Sequence, residues 1–204
     1  MTPLDILRRA RTMPVLTIAD AADAVPLAEA LAEGGLTVLE ITLRTAAALD
    51  AIAAIARALP DVLVGAGTLL SLPDFARAAN AGACFALSPG ATPALLAAAT
   101  ASPLPFIPGI ATASEAMAAR DAGFTALKFF PAEQLGGSRA LASLGAPMPD
   151  LIFCPTGGVT AENAPAYRTL ANVACVGGSW MATPALVAAR DWSKITQLAR
   201  ATLA

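Results

Sequence analysis

Short apolar runs rich in Val, Ile, Leu and Phe alternate along this chain with alanine-rich stretches of helical period. The runs at Pro14–Ile18, Val38–Leu43, Val62–Ala66, Cys84–Leu87, Phe106–Ile107, Ala126–Phe130, Leu151–Cys154 and Val173–Val176 predict eight strands. Between them lie predicted helices over Ala21–Glu33, Ala46–Leu59, Pro73–Ala79, Pro93–Ala99 and Ser114–Ala122. Thr112-x-x-Glu115 fits a capping box, and Thr92-Pro93 and Thr183-Pro184 put proline at a first helical position. Gly34, Gly82 and Gly123 stand where helices should end. Strand followed by helix, repeated to the end of the chain, predicts an α/β protein. The specific expectation is a single compact (β/α)8 TIM barrel over residues 1–204, with a short N-terminal helix. An open doubly wound sheet is the structural alternative, but the Gly-x-Gly-x-x-Gly turn usual after its first strand is missing.

Composition removes several function classes. The net charge is −2 without charge blocks, so neither nucleic acid nor an anionic membrane surface is an expected partner. Residues 78–114 carry no charge, a stretch of 37, yet Pro89, Pro93, Pro103, Pro105 and Pro108 break it and make a membrane helix a poor reading. Buried parallel strands and a subunit interface explain the low charge better. Met1-Thr-Pro-Leu-Asp lacks the pattern of a secretory signal, and a cytoplasmic location is expected. Cys84, Cys154 and Cys175 are read as buried free thiols in strand-like segments. The chain has no histidine, which removes Ser-His-Asp and Cys-His catalysis and histidine-ligated metals. Acid–base chemistry must use Glu, Asp, Lys, Tyr or water, and no metal or organic cofactor is expected.

Lys128 is one of two lysines and sits in the apolar run Phe124-Thr-Ala-Leu-Lys-Phe-Phe-Pro131. An ammonium leaves water at a cost unless it is paired or gives up its proton, and a neutral amine is a nucleophile. The alternative is a strand-end lysine reaching solvent. On the second strand Val38, Glu40, Thr42 and Arg44 alternate with Leu39, Ile41 and Leu43, so the polar set shares one face. The same parity groups Ala126, Lys128 and Phe130, and predicts an internal cluster of Glu40, Lys128 and Arg44. Glu40 could equally be half of a structural ion pair, and Arg44 a solvated strand-end residue. Gly157-Gly158 and Gly177-Gly178 follow the last two strands, where freed backbone N–H groups can cradle a phosphate or simply turn the chain.

Leu39-Glu-Ile-Thr-Leu-Arg-Thr45, Val64-Gly-Ala-Gly-Thr68, Leu87-Ser-Pro-Gly90, Leu127-Lys-Phe-Phe-Pro-Ala-Glu133, Phe153-Cys-Pro-Thr-Gly-Gly158 and Val176-Gly-Gly-Ser-Trp180 together resemble one family over nearly the whole chain. It is that of the bacterial 2-keto-3-deoxy-6-phosphogluconate (KDPG) aldolases, also called 4-hydroxy-2-oxoglutarate (KHG) aldolases. The resemblance implies that Lys128 forms a Schiff base with the substrate ketone, Glu40 moves protons and Arg44 binds the carboxylate. It implies a pyruvate-side contact at Thr68, pocket-lining roles for Pro89 and Phe130, and Thr156 beside the substrate. Gly157, Gly158, Gly178 and Ser179 would hold the phosphate. The expected substrate is a phosphorylated 2-keto-3-deoxy sugar acid, cleaved without cofactor, and the expected assembly is a homotrimer. Rival readings are a sister aldolase acting on the galactonate epimer and a phosphosugar isomerase or epimerase using Glu40 and Lys128 as a proton-transfer pair. A barrel that only binds phosphorylated ligands is a third.

Overall fold

The computed structural model describes residues 1–203. All strand pairings among them are parallel, in two sheets. One contains β1 (Thr12–Leu16), β2 (Val38–Thr42), β3 (Leu63–Gly67), β4 (Ala86–Leu87), β5 (Phe106–Ile107) and β9 (Val176–Gly178), in the order β5-β4-β3-β2-β1-β9. The other contains β6 (Gly109–Ile110), β7 (Ala126–Phe129) and β8 (Ile152–Pro155), in sequence order. Parallel bridges Phe153↔Val173 and Thr156↔Gly177 join the segments of β8 and β9.

The α/β class and parallel sheet follow the hydrophobic pattern; eight unbroken strands do not. The fifth run, Phe106–Ile107, forms β5, and a further two-residue strand follows it beyond Pro108, which has no N–H to give a ladder. Before it, β5 pairs with β4; after it, β6 pairs with β7. The first strand starts at Thr12 rather than Pro14, and the last extends to Gly178 rather than ending at Val176.

The helices are α1 (Pro3–Ala10), α2 (Ala24–Glu33), α3 (Ala48–Ala58), α4 (Leu72–Asn80), α5 (Pro93–Ala101), α6 (Ala113–Asp121), α7 (Gly137–Gly145), α8 (Ala164–Arg168), α9 (Pro184–Ala188) and α10 (Trp192–Leu203). Thr112 and Glu115 form the expected capping box, and Thr92 and Thr183 accept hydrogen bonds from the N–H groups of Leu95 and Leu186. A single 3-10 turn, Ala21–Asp23, precedes α2 where one continuous helix was expected.

Strand alternation sorts side chains onto two faces. Leu39, Ile41, Val64 and Ala66 pack outward against Leu27, Leu31, Ile52, Ile55 and Phe75 from the helices. Leu127, Phe129 and Phe153 pack likewise with Ala116, Ala119, Leu141 and Tyr167. Inward, Val38, Phe85, Leu87, Ile107 and Ala126 meet Met13, Cys154 and Cys175. Helix α1 seals this interior with Ile6, Leu7 and Ala10, its start fixed by a capping box between Thr2 and Asp5. Burying Ile6 and Leu7 contributes roughly 1.5–3 kcal/mol each.

The cysteine expectation needs one correction: Cys154 and Cys175 are buried, but Cys84 is exposed. Phe85 takes the inward position, and Cys84 precedes β4 rather than lying within it. Among the described residues no helix is long and apolar enough to cross a membrane.

Candidate active site

The parity argument for strands β2 and β7 is realised in the structure. Val38 and Ala126 belong to the interior, their neighbours Leu39 and Leu127 to the outer packing, so Glu40 and Lys128 project inward. Lys128 Nζ donates to Glu40 Oε1 at 2.8 Å and to Oε2 at 3.1 Å. Their side chains are 4% and 1% exposed, so this is an ion pair taken out of water. Desolvating two charges offsets most of their attraction, whereas removing one partner alone typically costs about 3–5 kcal/mol. Such a pair is weak as a stabiliser and strong as a constraint on where the amine stands.

Two neighbours complete the setting. A Cβ on Gly67 of β3 would lie 2.1 Å from Glu40 Oε1, so glycine there is the room in which the carboxylate sits. The Phe130 ring centroid is 5.6 Å from Lys128 Nζ, within cation–π range. Below them, Cys154 is the ladder partner of Lys128 on β8. Burial pushes the Cys175 thiol up, so this interior thiol is an inert packing group at neutral pH.

Above the pair opens a cavity of about 210 Å³. Lys128, Arg44, Phe130, Thr156, Gly157, Gly158, Gly178 and Ser179 all line it. Glu40 is not itself part of the lining and meets the cavity through its contact with Lys128. Arg44 follows β2, its N–H bonded to Thr42 O at 2.8 Å, and enters no ion pair among the described residues. Gly157 and Gly158 have φ of +98° and +75°, the left-handed conformation that favours glycine. A Cβ on Gly177 would lie 2.3 Å from Thr156 Oγ1, so this glycine clears space for Thr156. Arg44 and Lys128 are the cationic side chains of the lining; the glycine end offers backbone and the Ser179 hydroxyl.

Thr68 and Pro89 are not brought to this cavity. Thr68 directly follows β3 with φ +63°, strained for a threonine, while Pro89 leans on Gly109, whose added Cβ would meet the Pro89 carbonyl carbon at 2.3 Å. Strand-end reasoning missed Thr17, which lines the cavity and shares a 2.9 Å hydrogen bond with Thr42. The signal was present: Thr17 is the polar residue just past the first strand. The apolar wall of Leu27, Ala182, Pro184 and Val187 carried no comparable signal, since core leucines and valines look the same. No group of three or more metal-ligating Cys, Asp or Glu side chains occurs among the described residues.

With this geometry in view, the likenesses are consistent. The family model "KDPG and KHG aldolase" matches residues 4–198. A 2-dehydro-3-deoxy-phosphogluconate aldolase of Pseudoalteromonas atlantica is 49% identical over 200 residues, covering 98% of this chain and 93% of its own. The KHG/KDPG aldolase of Escherichia coli is 47% identical, covering 96% and 92%. The crystal structure of KDPG aldolase from Legionella pneumophila, with pyruvate captured as a covalent carbinolamine, superposes with TM-score 0.97 at 42% identity, covering 99% and 98% of the two chains. The chain belongs to the KDPG and KHG aldolase family.

Proposed function

We propose that this protein is a class I aldolase that cleaves 2-dehydro-3-deoxy-6-phosphogluconate to pyruvate and D-glyceraldehyde 3-phosphate, and 4-hydroxy-2-oxoglutarate to pyruvate and glyoxylate. The observation that carries this reading is the buried Lys128–Glu40 pair beside a cavity that Lys128, Arg44, the Gly157-Gly158 turn and Gly178 at the end of β9 line. Glu40 accepts a proton from Lys128, and the free amine attacks the C2 ketone to give a carbinolamine. Glu40 returns that proton to the departing hydroxyl; loss of water leaves a protonated imine, which draws the C3–C4 electron pair as the C4 hydroxyl gives its proton to the Glu40 carboxylate, directly or through water. The aldehyde departs, the enamine takes that proton from Glu40 at C3, and water releases pyruvate from the imine. Arg44 holds the substrate carboxylate with a charge-assisted pair of hydrogen bonds. Thr156 and Phe130 border the reacting carbons, and Gly157, Gly158, Gly178 and Ser179 hold the phosphate. Every role is supplied by side chains and backbone.

The same reading covers the assembly. The two sheets form one eight-stranded barrel and a single domain, since only Pro108 separates β5 from β6 and the Thr156↔Gly177 bridge joins the remaining edges. A homotrimer in the cytoplasm follows from the family.

Incubation with pyruvate and borohydride should add a reduced pyruvyl group to the peptide containing Lys128, and nothing in Lys128→Met. An unmodified Lys128 after reduction would sink the Schiff-base reading. Rates on the gluconate and galactonate epimers and on 4-hydroxy-2-oxoglutarate then rank the substrates.

A further inference from the structure

Three consecutive peptide planes leave β8 for the cavity, and each is held from behind. Ala132 N–H donates to Thr156 O at 2.8 Å, and Glu133 N–H to Gly157 O at 3.1 Å. The third carbonyl, Gly158 O, accepts from Asn163 Nδ2 at 3.0 Å. In a trans peptide the N–H of the following residue points opposite to the carbonyl. Pinning these oxygens outward therefore turns the N–H groups of Gly157, Gly158 and Val159 the other way, and all three residues line the cavity. Backbone donors converging in this manner form an anion nest.

The first two planes are set by the continuing backbone, and the third depends on one side chain. Asn163 is itself fixed, its Oδ1 accepting Thr160 N–H at 2.7 Å and its own N–H reaching Thr160 Oγ1 at 3.4 Å. The Glu133 side chain braces the turn, since a Cβ on Gly158 would come within 2.7 Å of Glu133 Cβ. The Glu133 carboxylate in turn accepts the hydroxyl of the fully buried Tyr167. Burial first, and the accepting carboxylate second, push the Tyr167 phenol above its ordinary value, so it remains a donor at neutral pH.

We propose that Asn163 is a positioning residue for the phosphate end: its side-chain amide orients the Gly158–Val159 peptide so that Val159 N–H joins those of Gly157 and Gly158 on the substrate phosphate. This rests on the phosphate reading of the glycine turns given above. Asn163 touches the turn rather than the ligand, so its loss should weaken phosphate binding and leave the Lys128 chemistry intact.

The test compares the parent protein with Asn163→Ala and Asn163→Asp. Asn163→Asp keeps an acceptor for Thr160 N–H and loses the donor to Gly158 O, separating the turn-capping role from the positioning role. Calorimetric titration with inorganic phosphate should show affinity falling about five- to tenfold in Asn163→Ala, the weight of one hydrogen bond, and at least as far in Asn163→Asp. KM for the phosphorylated substrate should rise by the same factor with kcat within about twofold. For unphosphorylated 4-hydroxy-2-oxoglutarate, kcat/KM should be unchanged. Equal phosphate affinity in parent and variants, no phosphate binding by the parent, or equal losses on both substrates would each overturn the proposal. Failure of the parent to trap pyruvate overturns the aldolase reading instead, and the phosphate titration still decides the role of Asn163.

Discussion

At one end of the pocket Lys128 and Glu40 meet as charged side chains from the interiors of two strands; at the other, Gly157, Gly158 and Gly178 present backbone. The charged end is specific in chemistry: no other residue type supplies a nucleophilic amine, and the acid beside it must be in hydrogen-bond reach. The glycine end is specific in shape, because any residue has an N–H but few tolerate the required backbone or the lack of space. Reaction and recognition therefore fail in different ways. Damage to the charged end should appear in kcat, and damage to the glycine end in KM for phosphorylated substrates.

The largest expected effect tests whether shape also governs the charged end. Gly67→Ala leaves Lys128 and Glu40 in the sequence but puts a methyl where Glu40 Oε1 stands, 2.1 Å away. Turnover should fall about 10²–10³-fold, as it should in Glu40→Gln, matching loss of a general acid–base. Both variants should still trap pyruvate with borohydride; near-normal turnover in Gly67→Ala would remove the steric argument. At the other end, Gly158→Ala strains a residue at φ +75° and pushes on Glu133 Cβ. KM for the phosphorylated substrate should rise about tenfold or more, with pyruvate trapping unchanged. A parallel loss with 4-hydroxy-2-oxoglutarate would show that the two ends are not separable.

The smallest effect lies outside the pocket and serves as a control. Burial works to raise the Asp74 carboxyl, but the N–H of Leu70, the hydroxyl and N–H of Ser71, and Arg77 together hold it below its ordinary value. A depressed carboxyl contributes stability above its unfolded pKa and loses it as pH falls through the folded one. Asp74→Ala should therefore cost about 1 kcal/mol at pH 7 by denaturant titration, with kinetics unchanged. The difference from the parent should shrink as pH falls below the ordinary carboxylate range.

What was legible in the sequence follows the same division. The parity of Val38, Glu40 and Thr42 against Leu39 and Ile41 is a period of two in the letters, and the fold reproduces it. Lys128 stood out because lysine is scarce and its surroundings apolar. Pro108 was visible too, but not its effect: a proline before two residues of strand shows neither that the ladder changes partners nor which strand it joins. Burial read from the run as a whole misplaces Cys84, because Phe85 and Leu87 turn inward and Cys84 stays exposed. Asn163 gave no signal, since an asparagine that starts a helix is ordinary and its hold on Gly158 exists only once the chain has folded.

Helix α1 sets a rule about traffic. By packing Ile6, Leu7 and Ala10 into the interior behind Lys128, it closes that side of the pocket. On the Schiff-base reading, pyruvate is held covalently at Lys128 and the aldehyde half lies between it and the opening. Cleavage must then release the aldehyde first and pyruvate last. In the reverse direction the ketoacid has to arrive before its partner: the imine on Lys128 dictates that order, and an eight-residue helix closes the other way out.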